Sequence, residues 1–301
     1  MKKTLAMMTA AMMVAGALAG CGSSSSTPAA TTAAATEAAT TAMATEAATD
    51  AATTEAAGDT AAAAEGTVKT PSGKFTVGFD QEFPPMGFVG DDGEFTGFDL
   101  DLAKEVASRL GLEFVPQPIN WDAKDMELES GNIDCIWNGF TMQGREDAYT
   151  WVGPYMANNQ VFVVNADSDI ASKADLAGKA VEVQKDSSGL AALQDDAELT
   201  ASFGSMTEVA DYNTALMDLE SGACDAVCMD SIVAGYQIKS SGKDMKILDD
   251  TLSAEEYGIG FKKGEDELAK AVHDTLMEMK DDGTVAKISN DWFGSDVFTL
   301  K

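Results

Sequence analysis

Two charged residues, an arginine and an aspartate, stand where they could bind the two ends of a small zwitterion. Arg145 follows a short apolar run at residues 133–137, and Asp230 follows a similar run at residues 224–229. A guanidinium group can bind both oxygens of a carboxylate in a fork, and a carboxylate accepts hydrogen bonds from an ammonium group. A ligand that carries both charges is an amino acid. The sequence therefore predicts an amino-acid site.

The stretches that lead to these two residues are copies of one unit. Residues 126–134 resemble residues 217–225, and aligning the copies places Gly139 opposite Asp230. Such a repeat predicts two similar lobes, each with a helix, a glycine turn and a strand that leads into a loop. Ligands of open α/β sheets bind beyond the carboxyl ends of the strands. The loop expected at residues 138–141 is therefore the candidate site of the first lobe.

The patterns around this unit predict an α/β fold. Apolar residues at every fourth position indicate a helix at residues 98–110, which Gly111 ends. The predicted strands lie at residues 74–79, 112–115, 133–137, 160–165, 180–184, 224–229, 245–248 and 257–261. Alternation of strands with helices indicates parallel, doubly wound sheets. The strand at 160–165 is expected to cross into the second lobe, and the one at 257–261 to return.

The first 66 residues have the composition of a leader and a linker. An apolar run ends at Leu18-Ala19-Gly20-Cys21, which resembles a bacterial lipobox. The resemblance implies a lipoprotein signal peptide at residues 1–20 and a lipid on the sulfur of Cys21; a secreted protein cut elsewhere and an uncleaved anchor are the alternatives. Residues 21–66 are mostly Ala, Thr and Ser, with six acidic residues and no Lys or Arg. A disordered linker is expected there.

The charge and the cysteine pattern narrow the classes of partner. The chain of 301 residues has 20 Lys and Arg against 50 Asp and Glu, which disfavours nucleic acid as a partner. Cys135, Cys224 and Cys228 are expected to be buried free thiols, since the last two would lie about 13 Å apart along a strand, beyond disulfide reach. With His273 as the single histidine and no Cys-x-x-Cys motif, neither a metal nor a cofactor is expected.

From about residue 70 to residue 296 the chain resembles the extracellular solute-binding proteins of the polar amino acid family, the receptor subunits of ABC importers. The resemblance rests on these motifs together: Asp80…Phe83-Pro84-Pro85, Gly93…Gly97-Phe98-Asp99…Asp101-Leu102-Ala103, Trp121, Gly131-x-x-Asp134, Gly139-x-Thr141…Arg145, Pro154-Tyr155, Gly222-x-x-Asp225…Asp230 and Asp282-Gly283-Thr284…Trp292-Phe293. It implies the two-lobed, type II periplasmic-binding-protein fold, in which each lobe is a mostly parallel sheet flanked by helices and two strands form the hinge. The first lobe is assigned to residues 67–160 and 257–301, and the second to residues 161–256.

The resemblance also implies roles for particular residues, each with a plainer alternative. Arg145 would clamp the ligand carboxylate, or pair with an adjacent surface acid; its spacing from Thr141 is one residue shorter than the commoner family pattern. Asp230 would bind the ammonium group, or cap the helix that follows it. The remaining predicted ligand residues belong to the loops at the strand ends, where local hydrogen bonding, helix capping or core packing are the alternatives: Asp80, Phe83, Trp121, Asn138, Gly139, Thr141, Ser187 and Ser188.

The function that this resemblance implies is capture of a polar amino acid by closure of two lobes, followed by delivery to a separate ABC permease. A monomer, held by its lipid on the outer face of the bacterial cell membrane, is expected. Two other classes stay open. One is a dehydratase of amino-acid-like cyclohexadienes on the same fold, with Glu82 or Asp80 as the acid. The other is a sensor that docks to a separate receptor.

Overall fold

The computed structural model describes Thr70 and residues 72–301. The predicted signal peptide at 1–20, Cys21 and the linker lie outside the described residues. The strands are β1 (Lys74–Phe79), β2 (Glu82–Phe83), β3 (Gly87–Val89), β4 (Phe95–Thr96), β5 (Glu113–Pro118), β6 (Cys135–Thr141), β7 (Thr150–Asn165), β8 (Ala180–Gln184), β9 (Ser205–Val209), β10 (Ala226–Asp230) and β11 (Met245–Phe261). The helices are α1 (Phe98–Leu110), α2 (Lys124–Ser130), α3 (Ser188–Asp195), α4 (Ala197–Ser202), α5 (Tyr212–Ser221), α6 (Ser231–Ser241), α7 (Asp266–Asp281) and α8 (Thr284–Phe293).

The two lobes contain the same arrangement of strands, counted inward from the two edges of one sheet. Eight strands pair in the order β5-β1-β6-β11-β7-β10-β8-β9. In the first lobe β1 pairs in parallel with β5 and β6, and in the second lobe β8 pairs in parallel with β9 and β10. The long strands β7 and β11 run antiparallel to each other through both lobes. This confirms the predicted two-lobed α/β fold with parallel sheets and two hinge strands.

The internal repeat is visible in matching hydrogen bonds. Asp134 accepts the backbone N–H of Thr76 at 2.6 Å, and its copy Asp225 accepts that of Ala180 at 2.8 Å. Helices α2 and α5 both end at a glycine in the left-handed conformation. In each lobe, the equivalent aspartate therefore binds the start of one strand to its neighbour, β6 to β1 in the first lobe and β10 to β8 in the second. Strands β6 and β10 thus reach the cleft in equivalent positions.

Strand β7 begins at Thr150 and not at the predicted residue 160, and two further predicted boundaries are wrong. Residues 138–141 were expected to form a loop, but they continue the buried strand β6, because Phe140 and Thr141 pair with β11. Residues 245–248 and 257–261 were expected to be separate strands, but β11 is continuous from Met245 to Phe261. The polar segment between them pairs with β7, with several shifts of register. Backbone pairing with a neighbouring strand, which hydropathy does not reveal, extends both strands.

The core of the first lobe forms on one face of α1. Phe98, Leu102 and Val106 are fully buried, as the spacing predicts. Gly111 ends the helix in the left-handed conformation, where its N–H donates to the carbonyl oxygens of Ala107 and Ser108. This packing places the first turn of α1, which contains Asp99, next to strand β6.

Candidate functional site

A small cavity between the lobes brings together eight of the ten predicted ligand residues. The space between its atoms is about 230 Å³, part of which is open to solvent. Strand β6 and the segments near it supply residues from the first lobe, and the starts of α3 and α6 supply residues from the second. The lining residues are Phe83, Trp121, Gly139, Thr141, Arg145, Gln184, Ser187, Ser188 and Asp230.

Arg145 reaches this cavity from the turn after β6. Its guanidinium donates to the carbonyl oxygen of Thr141 at 3.2 Å and to that of Asp186, in the other lobe, at 3.4 Å. The guanidinium carbon lies 5.1 Å from the centre of the Phe140 ring. None of the ion pairs among the described residues involves Arg145. The alternative of a surface pair with Glu146 or Asp147 is therefore absent, and the positive charge has no carboxylate partner within that part of the chain.

Thr141 and the two serines lie across the cleft from each other. The Thr141 hydroxyl donates to Oγ of Ser188 at 3.1 Å. Ser187 holds the N-cap position of α3, where its Oγ accepts the N–H of Leu190 at 3.1 Å. The capping alternative thus holds for Ser187, whereas the Ser188 hydroxyl faces the cleft. The first N–H groups of a helix favour an anion, so α3 adds to the positive side of the cavity.

Asp230 supplies the negative side. It is 3 % exposed, and its carboxylate accepts hydrogen bonds from Asn158 Nδ2 at 2.6 Å, Tyr257 OH at 2.7 Å and Tyr212 OH at 3.1 Å. It holds the N-cap position of α6 but makes no side-chain capping hydrogen bond. Burial, and next the charge of Glu255, raise the pKa of Asp230 to about 8. An ammonium group in the cavity would favour its ionised form.

Glu255 is a functional candidate that the sequence reasoning missed. It lies on β11, is 5 % exposed, and accepts hydrogen bonds from Asn158 Nδ2 at 2.6 Å and Gln160 Nε2 at 2.9 Å. The amide of Asn158 therefore joins the carboxylates of Glu255 and Asp230. The sequence alone does not reveal Glu255, because it lies in a polar segment between the strands predicted at 245–248 and 257–261, and only the continuous strand β11 places it beside the cleft.

A buried carboxylate behind the cavity holds Gly139. Asp99, in the first turn of α1, accepts the N–H of Gly139 at 2.7 Å and the hydroxyl of Tyr155 at 2.8 Å. Burial raises the pKa of Asp99 to about 7. Because the Gly139 N–H is already bonded to Asp99, it is not available to a ligand carboxylate.

Asp80 and Asn138, the other two predicted ligand residues, do not line this cavity. Asn138 is buried, and its side-chain oxygen accepts the N–H of Asp80 at 2.7 Å. The Asp80 carboxylate accepts from Gln184 Nε2, in the second lobe, at 2.7 Å. Burial raises the pKa of Asp80 to about 6. Asp80 borders an adjoining polar cleft between the lobes, and Asn138 positions it.

Phe83 and Trp121 line the cavity with aromatic rings. Phe83 is buried against Tyr212 of the second lobe, with ring centres 5.7 Å apart. Trp121 is half-buried and meets the Phe140 ring edge to face at 5.5 Å. Phe83 thus has both the packing role and the cavity-lining role. Trp121 keeps part of its ring open to the cleft.

Three cysteines are buried free thiols, as the sequence predicts. Cys135, Cys224 and Cys228 are free and buried, and burial raises the pKa of each thiol. Within Thr70 and residues 72–301, no three His, Cys, Asp or Glu side chains are grouped so that they could hold a metal ion. In the same part of the chain, no helix is both long and apolar enough to span a bilayer.

Residues 75–295 match the sequence model of the bacterial extracellular solute-binding proteins, family 3. The chain is similar to the L-cystine-binding protein TcyJ of Escherichia coli K12, with 31 % identity over 75 % of this chain and 84 % of that protein. It is also similar to the L-cystine-binding protein TcyA of Bacillus subtilis 168, with 32 % identity over 75 % and 83 % of the two chains. A solved structure of an ABC uptake transporter substrate-binding protein from Streptococcus pneumoniae with bound histidine aligns with a TM-score of 0.73 and 34 % identity, over 76 % of this chain and 95 % of that one.

Proposed function

The chain belongs to the bacterial extracellular solute-binding proteins, family 3, and on that premise we propose that it captures a free, polar L-amino acid between its two lobes and delivers it to the permease of an ABC importer. The observation that carries the proposal is the pairing of Arg145 with Asp230. They line one cavity from different lobes, and their charges match the carboxylate and the ammonium group of one amino acid.

Each charged group has a defined task in this proposal. Arg145 binds the ligand carboxylate, and the Thr141 hydroxyl and the start of α3 at Ser188 add hydrogen bonds to it. Asp230 binds the ammonium group. A ligand that lacked either charge would leave a buried group unpaired, at a cost of ~1–3 kcal/mol or more. The site therefore selects α-amino acids, and Phe83 and Trp121 enclose the ligand side chain.

Lobe closure is the proposed binding step. The first lobe binds the ligand through Arg145 and Thr141, and closure then brings Asp230 and Ser188 to it, which stabilises the closed form. Hydrogen bonds across the cleft support this step. They join Thr141 to Ser188 and Asp80 to Gln184.

The alternatives of a dehydratase and of a sensor have less support. Glu82, the candidate acid, accepts a hydrogen bond from Asn213 and does not line the cavity that holds Arg145 and Asp230. The relatives named above are binding proteins. Amino-acid uptake by cells from which the chain has been deleted distinguishes the sensor from the transport receptor. Uptake falls if the chain is a transport receptor and is unchanged if it is a sensor.

The cellular setting is part of the proposal. The family is extracellular, and we propose that diacylglycerol and a palmitoyl chain on Cys21 hold this member on the outer face of the cell membrane. Two or more acyl chains hold a protein durably, whereas one does not. The linker at residues 21–66 then separates a monomeric receptor from the membrane. Its first lobe comprises residues 67–160 and 257–301, and its second lobe residues 161–256, as assigned from the sequence.

A thermal-shift screen of the full chain against the common amino acids, cystine included, tests the proposed function. We expect at least one polar amino acid to raise the Tm, and the Arg145→Ala variant to lose that shift. If no amino acid raises the Tm of the wild-type protein, the proposed function is wrong.

A further inference from the structure

A buried lysine outside the predicted ligand set connects the two lobes. Lys124, the first residue of α2, has a side chain that is 2 % exposed. Its ammonium group pairs with the carboxylate of Asp186, in the turn before α3. Lysine is almost never buried this completely without a partner, and Asp186 is its only ion-pair partner among the described residues. Because the partners belong to different lobes, the pair exists only while the lobes are together.

Two further contacts link this pair to the ligand cavity. The Nζ atom of Lys124 lies 3.4 Å from the carbonyl oxygen of Trp121 and 5.1 Å from the centre of its ring. The carbonyl oxygen of Asp186 lies 3.4 Å from Lys124 Nζ and 3.4 Å from Arg145 Nη2. Both Trp121 and Arg145 line the cavity. Lys124 thus contacts one cavity residue and shares an acceptor with the other.

The backbone of Asp186 explains why this turn needs to be held. Asp186 has a φ of 56° and is the only residue other than glycine with a positive φ among the described residues. The left-handed region is unfavourable for residues with a Cβ, although Asp and Asn tolerate it better than most. Ser187 and Ser188 follow directly and line the cavity. The hydrogen bonds that Asp186 receives from the first lobe therefore hold the turn that presents both serines.

We propose that Lys124 is a positioning residue for ligand binding, which pairs with Asp186 across the cleft and holds the turn before α3 against Trp121 and Arg145 in the closed, ligand-bound form. This proposal rests on the proposed receptor function. Lys124 does not touch the ligand. It sets how long the closed lobes retain the ligand, and its loss acts mainly on the rate of ligand dissociation.

The variants Lys124→Met and Asp186→Asn, and the double variant, test this proposal in the full chain. Methionine can stay buried without a charge, and asparagine tolerates the left-handed backbone of Asp186. The probe is the common amino acid that raises the wild-type Tm most, and the readouts are Kd, the dissociation rate and the Tm without ligand. We expect each single variant to raise Kd about tenfold, mostly through faster dissociation. The double variant should be no weaker than the weaker single variant, because both changes break one pair.

Lys185→Met is the matched control. Lys185 also crosses the cleft, to Asp122 at 2.7 Å, but the two side chains are 56 % and 41 % exposed. Exposed pairs contribute little, so Kd should stay within about threefold of the wild-type value.

Four results would overturn the proposal. If Lys124→Met and Asp186→Asn bind as tightly as the wild type, or if their effects on Kd add in the double variant, the pair does not position the site. If the variants lower the ligand-free Tm by more than about 5 °C with an unchanged Kd, the pair is merely structural. A wild-type protein that binds no amino acid would overturn the proposed function as well, whereas wild-type binding with unaffected variants would overturn this proposal alone.

Discussion

Replacement of Asp230 by asparagine should weaken ligand binding without loss of stability. The side chain is 3 % exposed and accepts three hydrogen bonds, so an isosteric amide fits the same space. Removal of one partner of a buried, hydrogen-bonded charge pair costs ~2–5 kcal/mol. The lower end applies here, because asparagine keeps one acceptor oxygen.

The raised pKa of Asp230 reduces this loss. At pH 7.5 a group with a pKa of about 8 is partly protonated, so the wild type loses less than about 1 kcal/mol when it ionises to meet the ligand. A net loss of ~1.5–2 kcal/mol remains, which raises Kd about tenfold to thirtyfold. The ligand-free Tm should stay equal or rise, because the amide no longer repels Glu255.

Titration calorimetry at pH 7.5 and thermal unfolding without ligand measure these two effects. The matched control is Asp225→Asn, the equivalent acid of the repeat before β10, which accepts the Ala180 N–H at 2.8 Å and lies outside the cavity. It should leave Kd within about threefold of the wild-type value. An Asp230→Asn variant that binds as tightly as the control would refute the assignment of the ammonium group to Asp230.

Three more variants test other parts of the site. Arg145→Lys keeps the charge but loses the fork, and calorimetry should show Kd raised about tenfold to a hundredfold; a change below threefold would contradict the clamp. Ligand affinity should rise with pH as Asp230 ionises and level off above about pH 8. In Glu255→Gln the rise in affinity should occur at lower pH, because the charge of Glu255 no longer raises the pKa of Asp230. An unshifted profile of Kd against pH would contradict this role of Glu255. Gly139→Ala places a Cβ at a φ of 54° and 2.9 Å from an aromatic carbon, so the Tm should fall with a loss of ~1–3 kcal/mol, whereas Gly235→Ala, in an open helical position, should raise it.

The repeat made much of the site predictable from the sequence. Two aligned copies of one helix–turn–strand unit placed Gly139 opposite Asp230 and Arg145 shortly after the first copy, and the structure brings all three residues to one cavity. The helix of residues 98–110 followed from apolar spacing and from Gly111, and it has those bounds in the structure. Such features depend on short-range patterns, which a single sequence contains.

Other features depend on what lies beside a residue in three dimensions. The sequence places Asp99 in the first turn of a helix, but only the structure shows that it is buried and accepts the Gly139 N–H. Lys124 has no apolar or motif signal, and its role follows from the approach of Asp186 after closure. The site position of Glu255 follows from the pairing of β11 with β7. Each of these contacts joins residues that are far apart in the sequence, so neither hydropathy nor secondary-structure propensity predicts it.

The central claim is that one amino acid is held by its two charged groups, and ligand analogues test it most directly. Titration calorimetry of the full chain would compare L-cystine and L-histidine, together with the best amino acid from the thermal screen, with their methyl ester and N-acetyl forms. The account predicts that the best free amino acid binds with a Kd of about 1 μM or below and that each blocked form binds at least about thirtyfold more weakly. Equal affinity for a blocked form would contradict it, because a group that can be removed without loss is not held by Arg145 or Asp230.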